Sequence, residues 1–112
     1  MFFPRRMDKG GHVYIVASKR NGTLYTGVTS NLVRRISEHR DGLMPGFTRR
    51  YGASHLVWSE HHNDIEAAIR REKAIKRWSR AWKLALIERD NPEWLDLWPT
   101  LFGDAATLAL PR

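Results

Sequence analysis

The stretch from Val13 to His39, VYIVASKRNGTLYTGVTSNLVRRISEH, constrains the fold of this chain more than any other. Two runs, Val13–Ser18 and Thr23–Thr29, alternate apolar and polar residues around Asn21-Gly22, the pair that best accepts the positive φ angles of a tight β-turn. The pattern predicts a β-hairpin. A two-residue loop sets Tyr25 opposite Ser18 and Tyr14 opposite Thr29. Opposed residues share a face and neighbours alternate. One face then carries Tyr14, Val16, Ser18, Tyr25, Gly27 and Thr29, and the other carries Val13, Ile15, Ala17, Leu24, Thr26 and Val28. The second is a core face. The first sets two phenols beside a glycine, where backbone or ligand can come close. Ser30 or Asn31 can cap a helix opened by Leu32, Val33 and Ile36, on which Arg35 and His39 stand one turn apart on one side.

The 112 residues fit one small domain with a single core. The 19 Lys+Arg against 12 Asp+Glu give a net charge of +7, which points to a polyanionic partner or an acidic membrane surface, nucleic acid being the commoner case. With no cysteine there is neither a disulfide nor a thiolate metal site, which fits a reducing compartment. Residues 1–11 hold too few apolar residues for a signal-peptide core, and no apolar run approaches the length of a membrane span. The expectation is a cytoplasmic protein with no membrane association. Residues 1–11 are an N-terminal extension, with Met7 an alternative start, and residues 99–112 a tail, whether ordered or not.

Glycine and proline break up Arg40–Gly52, where Arg49 and Arg50 are read equally well as phosphate contacts or as solvated loop residues. A third strand is expected at Ser54–Glu60. His61 and His62 end it, and being adjacent they point to opposite faces, which argues against a shared metal ion. Asn63 and Glu66 have the form of a helix N-terminus. In that helix Ile65, Ala68, Ile69, Glu72 and Ile75 make one stripe, which Glu72 interrupts. A carboxylate there must find a cation. Two readings stand: a structural salt bridge with Arg35 or a lysine, which chemistry alone favours, or a ligand for a hard divalent ion such as Mg²⁺.

From Arg70 to Arg89 there are eight Lys+Arg against Glu72 and Glu88, which reads as a phosphate-facing surface. Together with Arg34, Arg49 and Arg50, the residues Lys73 and Lys76 are the candidate nucleic-acid contacts. Ser79 starts a further helix to about Arg89, ended by Asn91-Pro92. Trp78 and Trp82, four apart, are expected to pack in the core rather than to stack on bases. Trp94, Leu95, Leu97 and Trp98 look like a closing apolar clasp. The pattern is α+β: a small three-stranded antiparallel sheet flanked by helices, in the order β-β-α-β-α-α.

In Val13-Tyr14, Tyr25-Thr26-Gly27, Asn31-Leu32 with Arg35 and His39, and Glu72 within Arg71-Glu72-Lys73, the sequence resembles the GIY-YIG nuclease family, its small single-domain bacterial members in particular. The elements come in order over residues 12–98. The resemblance implies the same β-β-α-β-α-α domain and a metal-dependent endonuclease acting on DNA, of low intrinsic sequence specificity, in DNA repair or processing. It makes Glu72 the ligand of one Mg²⁺ or Mn²⁺ ion and Tyr14, Tyr25, Arg35, His39 and Glu72 the catalytic set. Arg35 would bind the scissile phosphate, and the two tyrosines and His39 would handle the water and its proton. Ionising a free tyrosine at pH 7 costs about 3 pK units, roughly 4 kcal/mol, whereas histidine titrates near 6.5. The expectation is therefore Tyr25 at the water with His39 as proton acceptor behind it. His12 stands where the first motif often has glycine, and Thr26 where the second has isoleucine. Leu84 stands at the offset where many family nucleases carry an asparagine, with Asn91 a possible substitute. The rival functions are a catalytically weak or inactive nucleic-acid-binding module and a protein-binding adaptor. The sequence leaves the oligomeric state open.

Overall fold

The structure, a computed structural model, describes residues 10–43 and 52–104. Arg49 and Arg50 lie outside the described residues. The elements are β1 (Gly11–Ala17), β2 (Leu24–Thr29), α1 (Leu32–Arg40), β3 (His55–His62), α2 (Ile65–Lys76), α3 (Arg80–Asp90) and a short 3-10 helix, Trp98–Phe102. The architecture is the expected α+β one. β1 is central in a sheet of order β2-β1-β3, antiparallel to both neighbours.

The hairpin register differs from the tight-turn expectation by two residues. Tyr14 faces Gly27 and Val16 faces Tyr25, so on the β2 side Tyr14 opposes a glycine rather than Thr29. Ser18 and Thr23 close a four-residue loop through Ser18 N–H to the Thr23 carbonyl, and Gly22 N–H bonds to the Lys19 carbonyl. Asn21 alone takes the positive φ, 58°. A shift of two preserves every face, because strand side chains repeat with period two. Tyr14 and Tyr25 therefore still share a side.

The third strand runs two residues past its expected end, and its alternation breaks. The β1–β3 register passes from Ile15 opposite Trp58 to Val16 opposite Leu56, leaving Val57 as an extra residue. Such a bulge turns the strand by one position. Leu56 thereby joins Tyr14 and Val16 on one face, while Val57 and Trp58 both pack on the other. Simple alternation would put Leu56 and Trp58 on the same face.

Both sheet faces are covered. On one, Val13, Ile15, Ala17, Val57 and Trp58 meet Ala68 and Ile75 of α2, Leu86 and Ile87 of α3, and Trp94. On the other, Tyr14, Val16 and Leu56 meet Leu32 and Ile36 of α1, with Leu97, Trp98 and Leu101 behind. The apolar clasp is thus real but divided, Trp94 serving one face and Trp98 the other. Helix ends follow local chemistry: the side chains of Asn31, Asp64 and Ser79 accept hydrogen bonds from the backbone N–H of Arg34, Glu66 and Trp82. Asp64, rather than Asn63, caps α2.

Candidate active site

β1, β2, α1 and α2 bring Tyr14, Tyr25, Arg35, His39 and Glu72 to one region, with Tyr14 at its centre. The Tyr14 side chain has no exposed surface, and its hydroxyl lies 2.9 Å from His39 Nε2. Its position explains the glycine opposite. A Cβ on Gly27 would sit 2.5 Å from Tyr14 Cζ, closer than real Cβ contacts come, so the phenol can cross β2 only where β2 has no side chain. The Tyr25 ring is 6.5 Å from that of Tyr14 and 5.5 Å from that of His39, centroid to centroid.

α1 supplies Arg35 and His39 from one side. Arg35 donates to Glu38 Oε1 at 3.1 Å and sits beside the Tyr14 hydroxyl. Because a guanidinium only donates, the Tyr14 oxygen accepts from Arg35 and gives its own proton to His39 Nε2. The imidazole then carries its hydrogen on Nδ1, an atom with no protein partner among the described residues. His39 is 4% exposed, and burial, aided by the Arg35 charge, lowers its pKa to about 4. It is neutral at pH 7. Burial pushes the Tyr14 phenol up to about 12, against the lowering hydrogen bond from Arg35, and the Tyr25 and Glu72 charges add to the rise. Tyr14 is therefore a protonated donor throughout the physiological range.

Glu72 occupies the apolar stripe of α2 between Ala68 and Ile75, both fully buried. Its partner is a lysine four residues on, one of the partners expected for a structural pair: Lys76 Nζ lies 2.7 Å from Glu72 Oε2 and 5.6 Å from the Tyr25 ring centroid. The two ends of that pair differ in exposure, with 10% of the Glu72 side chain accessible and 47% of the Lys76 side chain. The lysine can leave for solvent at little cost, while the carboxylate stays in place. Glu72 thus offers one anchored hard oxygen donor, which fits a cation that keeps most of its water. Among the described residues no group of three or more His, Asp or Glu converges as a ready-made metal cage.

Arg34 lies beside Arg35 and shares Glu38 with it, at 3.3 Å, on the wall of a small polar pocket with Thr29, Ser30 and Asn31. Lys73 is exposed on α2. Lys76 and Lys83 line a groove with Leu24, Tyr25 and Thr26, so Tyr25 opens onto a basic channel. Glu38 escaped the sequence reading, although its three- and four-residue spacing from Arg35 and Arg34 is the signal of helical ion pairs. Asn91 stands elsewhere. Its side chain is spent on the backbone, donating to the Val57 and Leu95 carbonyls and accepting from Leu95 N–H. The His61 ring meets that of His12 of β1 at 4.8 Å with a tilt of 56°, while His62 pairs with Glu60 on the opposite face.

The family model of the GIY-YIG catalytic domain matches residues 10–85, the span that carries all five of these side chains. The chain belongs to the GIY-YIG family. It is 42% identical over 77 residues to a UPF0213 protein of Staphylococcus haemolyticus, covering 69% of this chain and 93% of that one. It is 41% identical over 76 residues to a UPF0213 protein of Natronomonas pharaonis, covering 68% and 89%. A solution NMR structure of a UPF0213 protein from Bacillus halodurans is 33% identical, with a TM-score of 0.47 over 73% of this chain and 86% of the other. Those names state a family and no activity. Among the described residues no helix is long and apolar enough to cross a membrane.

Proposed function

We propose that this GIY-YIG domain is an endonuclease that hydrolyses DNA phosphodiester bonds with one Mg²⁺ or Mn²⁺ ion held by Glu72, at low intrinsic sequence specificity, in DNA repair or processing inside the cytoplasm. The observation that carries it is the convergence on Tyr14 of a cationic donor, a neutral histidine and a second tyrosine, beside an anchored carboxylate whose only ion-pair partner among the described residues is half exposed.

Phosphodiester hydrolysis needs a held phosphate, a positioned water and relief of the charge that builds on the phosphoryl oxygens. A divalent cation held by Glu72 would supply Lewis-acid charge for the phosphoryl group. The chain's own residues supply the rest. Arg35, with about a third of its side chain exposed, binds a non-bridging oxygen. Tyr25 is the half-buried hydroxyl group at the mouth of the groove, and it orients or deprotonates the water. Tyr14 and His39 are too buried to touch a phosphate and act as positioning residues: the imidazole accepts the Tyr14 proton, and the phenolic oxygen so oriented accepts from Arg35. His39 as proton acceptor behind Tyr25, the expectation from sequence, fits this geometry poorly, since its Nε2 is taken by Tyr14 and its low pKa makes it a weak base. Arg34, Lys73 and Lys76, with Arg49 and Arg50, bind flanking phosphates.

The test is incubation of the purified chain with labelled single-stranded, duplex and branched DNA, with Mn²⁺ and with chelator. Cleavage of any of them in Mn²⁺ and none in chelator is expected. Binding without cleavage under both conditions would instead identify an inactive nucleic-acid-binding module.

A further inference from the structure

Trp82 departs most from its sequence expectation. Trp78 is half buried against the core, but Trp82 is 63% exposed, more than any other Trp, Tyr or Phe among the described residues. Its ring is held: Trp78 meets it edge to face at 5.8 Å, and the Arg71 guanidinium lies over Trp78 at 5.4 Å. Trp78, Trp82, Ala85, Leu86 and Arg89 form an open apolar groove on this side of α3. Trp82 is not part of the hydrophobic core, and its outer face is left to solvent.

The surroundings specify what would cover it. Lys83 adjoins Trp82 on α3, and neither it nor Arg77, the residue before Trp78, makes an ion pair among the described residues, whereas Asp90 is paired with Arg89 and Glu88 accepts from Trp94 Nε1–H. A flat apolar ring in an excess of unpaired cations suits a strand that carries phosphates and planar bases together. Continuity supplies a route, because Lys83, the next residue on α3, also lines the groove under Tyr25 with Lys76. A strand leaving the active-site mouth past Lys76 and Lys83 arrives at Trp82.

We propose that Trp82, supported by Trp78, is a stacking platform for an unpaired base of single-stranded nucleic acid running from the active site along α3. The proposal rests on the nuclease assignment for its direction, and it gives the enzyme a preference for substrates with a single-stranded arm. In a duplex the base faces are already stacked on one another and unavailable to the indole.

The test uses the full chain in chelator, so that nothing is cleaved, and measures affinity for a dT oligonucleotide and for a duplex of equal length at fixed salt, for the wild type, Trp82→Ala and Trp82→Phe. Loss of a base–aromatic stack weakens single-strand binding by about 5- to 150-fold. Trp82→Ala should lower the ratio of single-strand to duplex affinity by at least fivefold, and Trp82→Phe should restore most of it, both variants melting with the wild type. An unchanged ratio overturns the proposal. So does a concentration-dependent dimer of the wild type that Trp82→Ala abolishes, since the groove would then be a self-association surface. Cleavage by the wild type in Mn²⁺, measured separately, reports on the nuclease assignment whichever way the ratio falls.

Discussion

His39 is the residue whose chemistry depends most on its surroundings. Its folded pKa, about 4, lies below the unfolded value near 6.5, so the unfolded chain binds the extra proton first as pH falls. Its contribution to stability is complete above about pH 6.5 and is lost between 6.5 and 4, amounting to roughly 3 kcal/mol. The stability difference between the wild type and His39→Gln, followed by urea unfolding from pH 7 to pH 4, should shrink by that order. A pH-independent difference would show that His39 is not buried neutral. The same state places the acid limb of cleavage near pH 4 rather than 6.5 if a neutral His39 is what activity requires. If Glu72 holds the metal as proposed, lysine and metal compete for one oxygen, so Lys76→Met should raise Mn²⁺ affinity, read as a larger Mn²⁺-induced rise in Tm. An equal or smaller rise would mean that Lys76 does not guard the site. That Tyr14, Arg35 and His39 would meet was legible from strand alternation and helical spacing; that Tyr14 would be wholly buried was not, because no spacing reveals which face a later helix covers.

At the scale of elements, the hairpin was legible as a hairpin and its register was not. Alternation is unchanged by a shift of two, and the Asn21-Gly22 signal serves a four-residue loop as readily as a two-residue one. What fixes the register is three-dimensional: the Tyr14 ring needs a residue without a side chain opposite it, and Gly27 is that residue. Gly27→Ala should therefore destabilise the fold by roughly 1–3 kcal/mol through overpacking, seen in denaturant unfolding. A neutral effect would mean that Tyr14 can move aside. The Val57 bulge left no mark in the sequence, since Leu56, Val57 and Trp58 are apolar on either face. Asn91, at the end of α3, ties that helix to β3 and to Leu95 with three hydrogen bonds. Asn91→Ala should lose about 2–3 kcal/mol of stability, because buried backbone groups are left unpaired, while cleavage per folded molecule holds. Loss of cleavage at full stability would make Asn91 a substitute for the family's asparagine after all.

For the molecule as a whole, the +7 charge was legible at once, but its distribution came only with the fold. The two ends of the candidate site are basic in different ways: Arg34 and Arg35 share Glu38, and Lys76 is bound to Glu72, while Lys73, Arg77 and Lys83 are unpaired among the described residues. If about four phosphates are neutralised, log K for duplex DNA should fall with log salt at a slope near −3 to −4. A flat response would remove nucleic acid as the partner. In the proposed function cleavage turns on one carboxylate, and Glu72→Gln keeps its shape while removing its charge. Lys76, half exposed, is then free to hydrate, so folding should be preserved. The decisive measurement is nicking of supercoiled plasmid by the wild type and by Glu72→Gln, with Mn²⁺ and with chelator, alongside the Tm of each. Nicking by the wild type in Mn²⁺ alone, with none by Glu72→Gln at an unchanged Tm and no Mn²⁺-induced shift, is the predicted result; nicking by Glu72→Gln at the wild-type rate, or its loss only through unfolding, would contradict the assignment of Glu72 as the metal ligand.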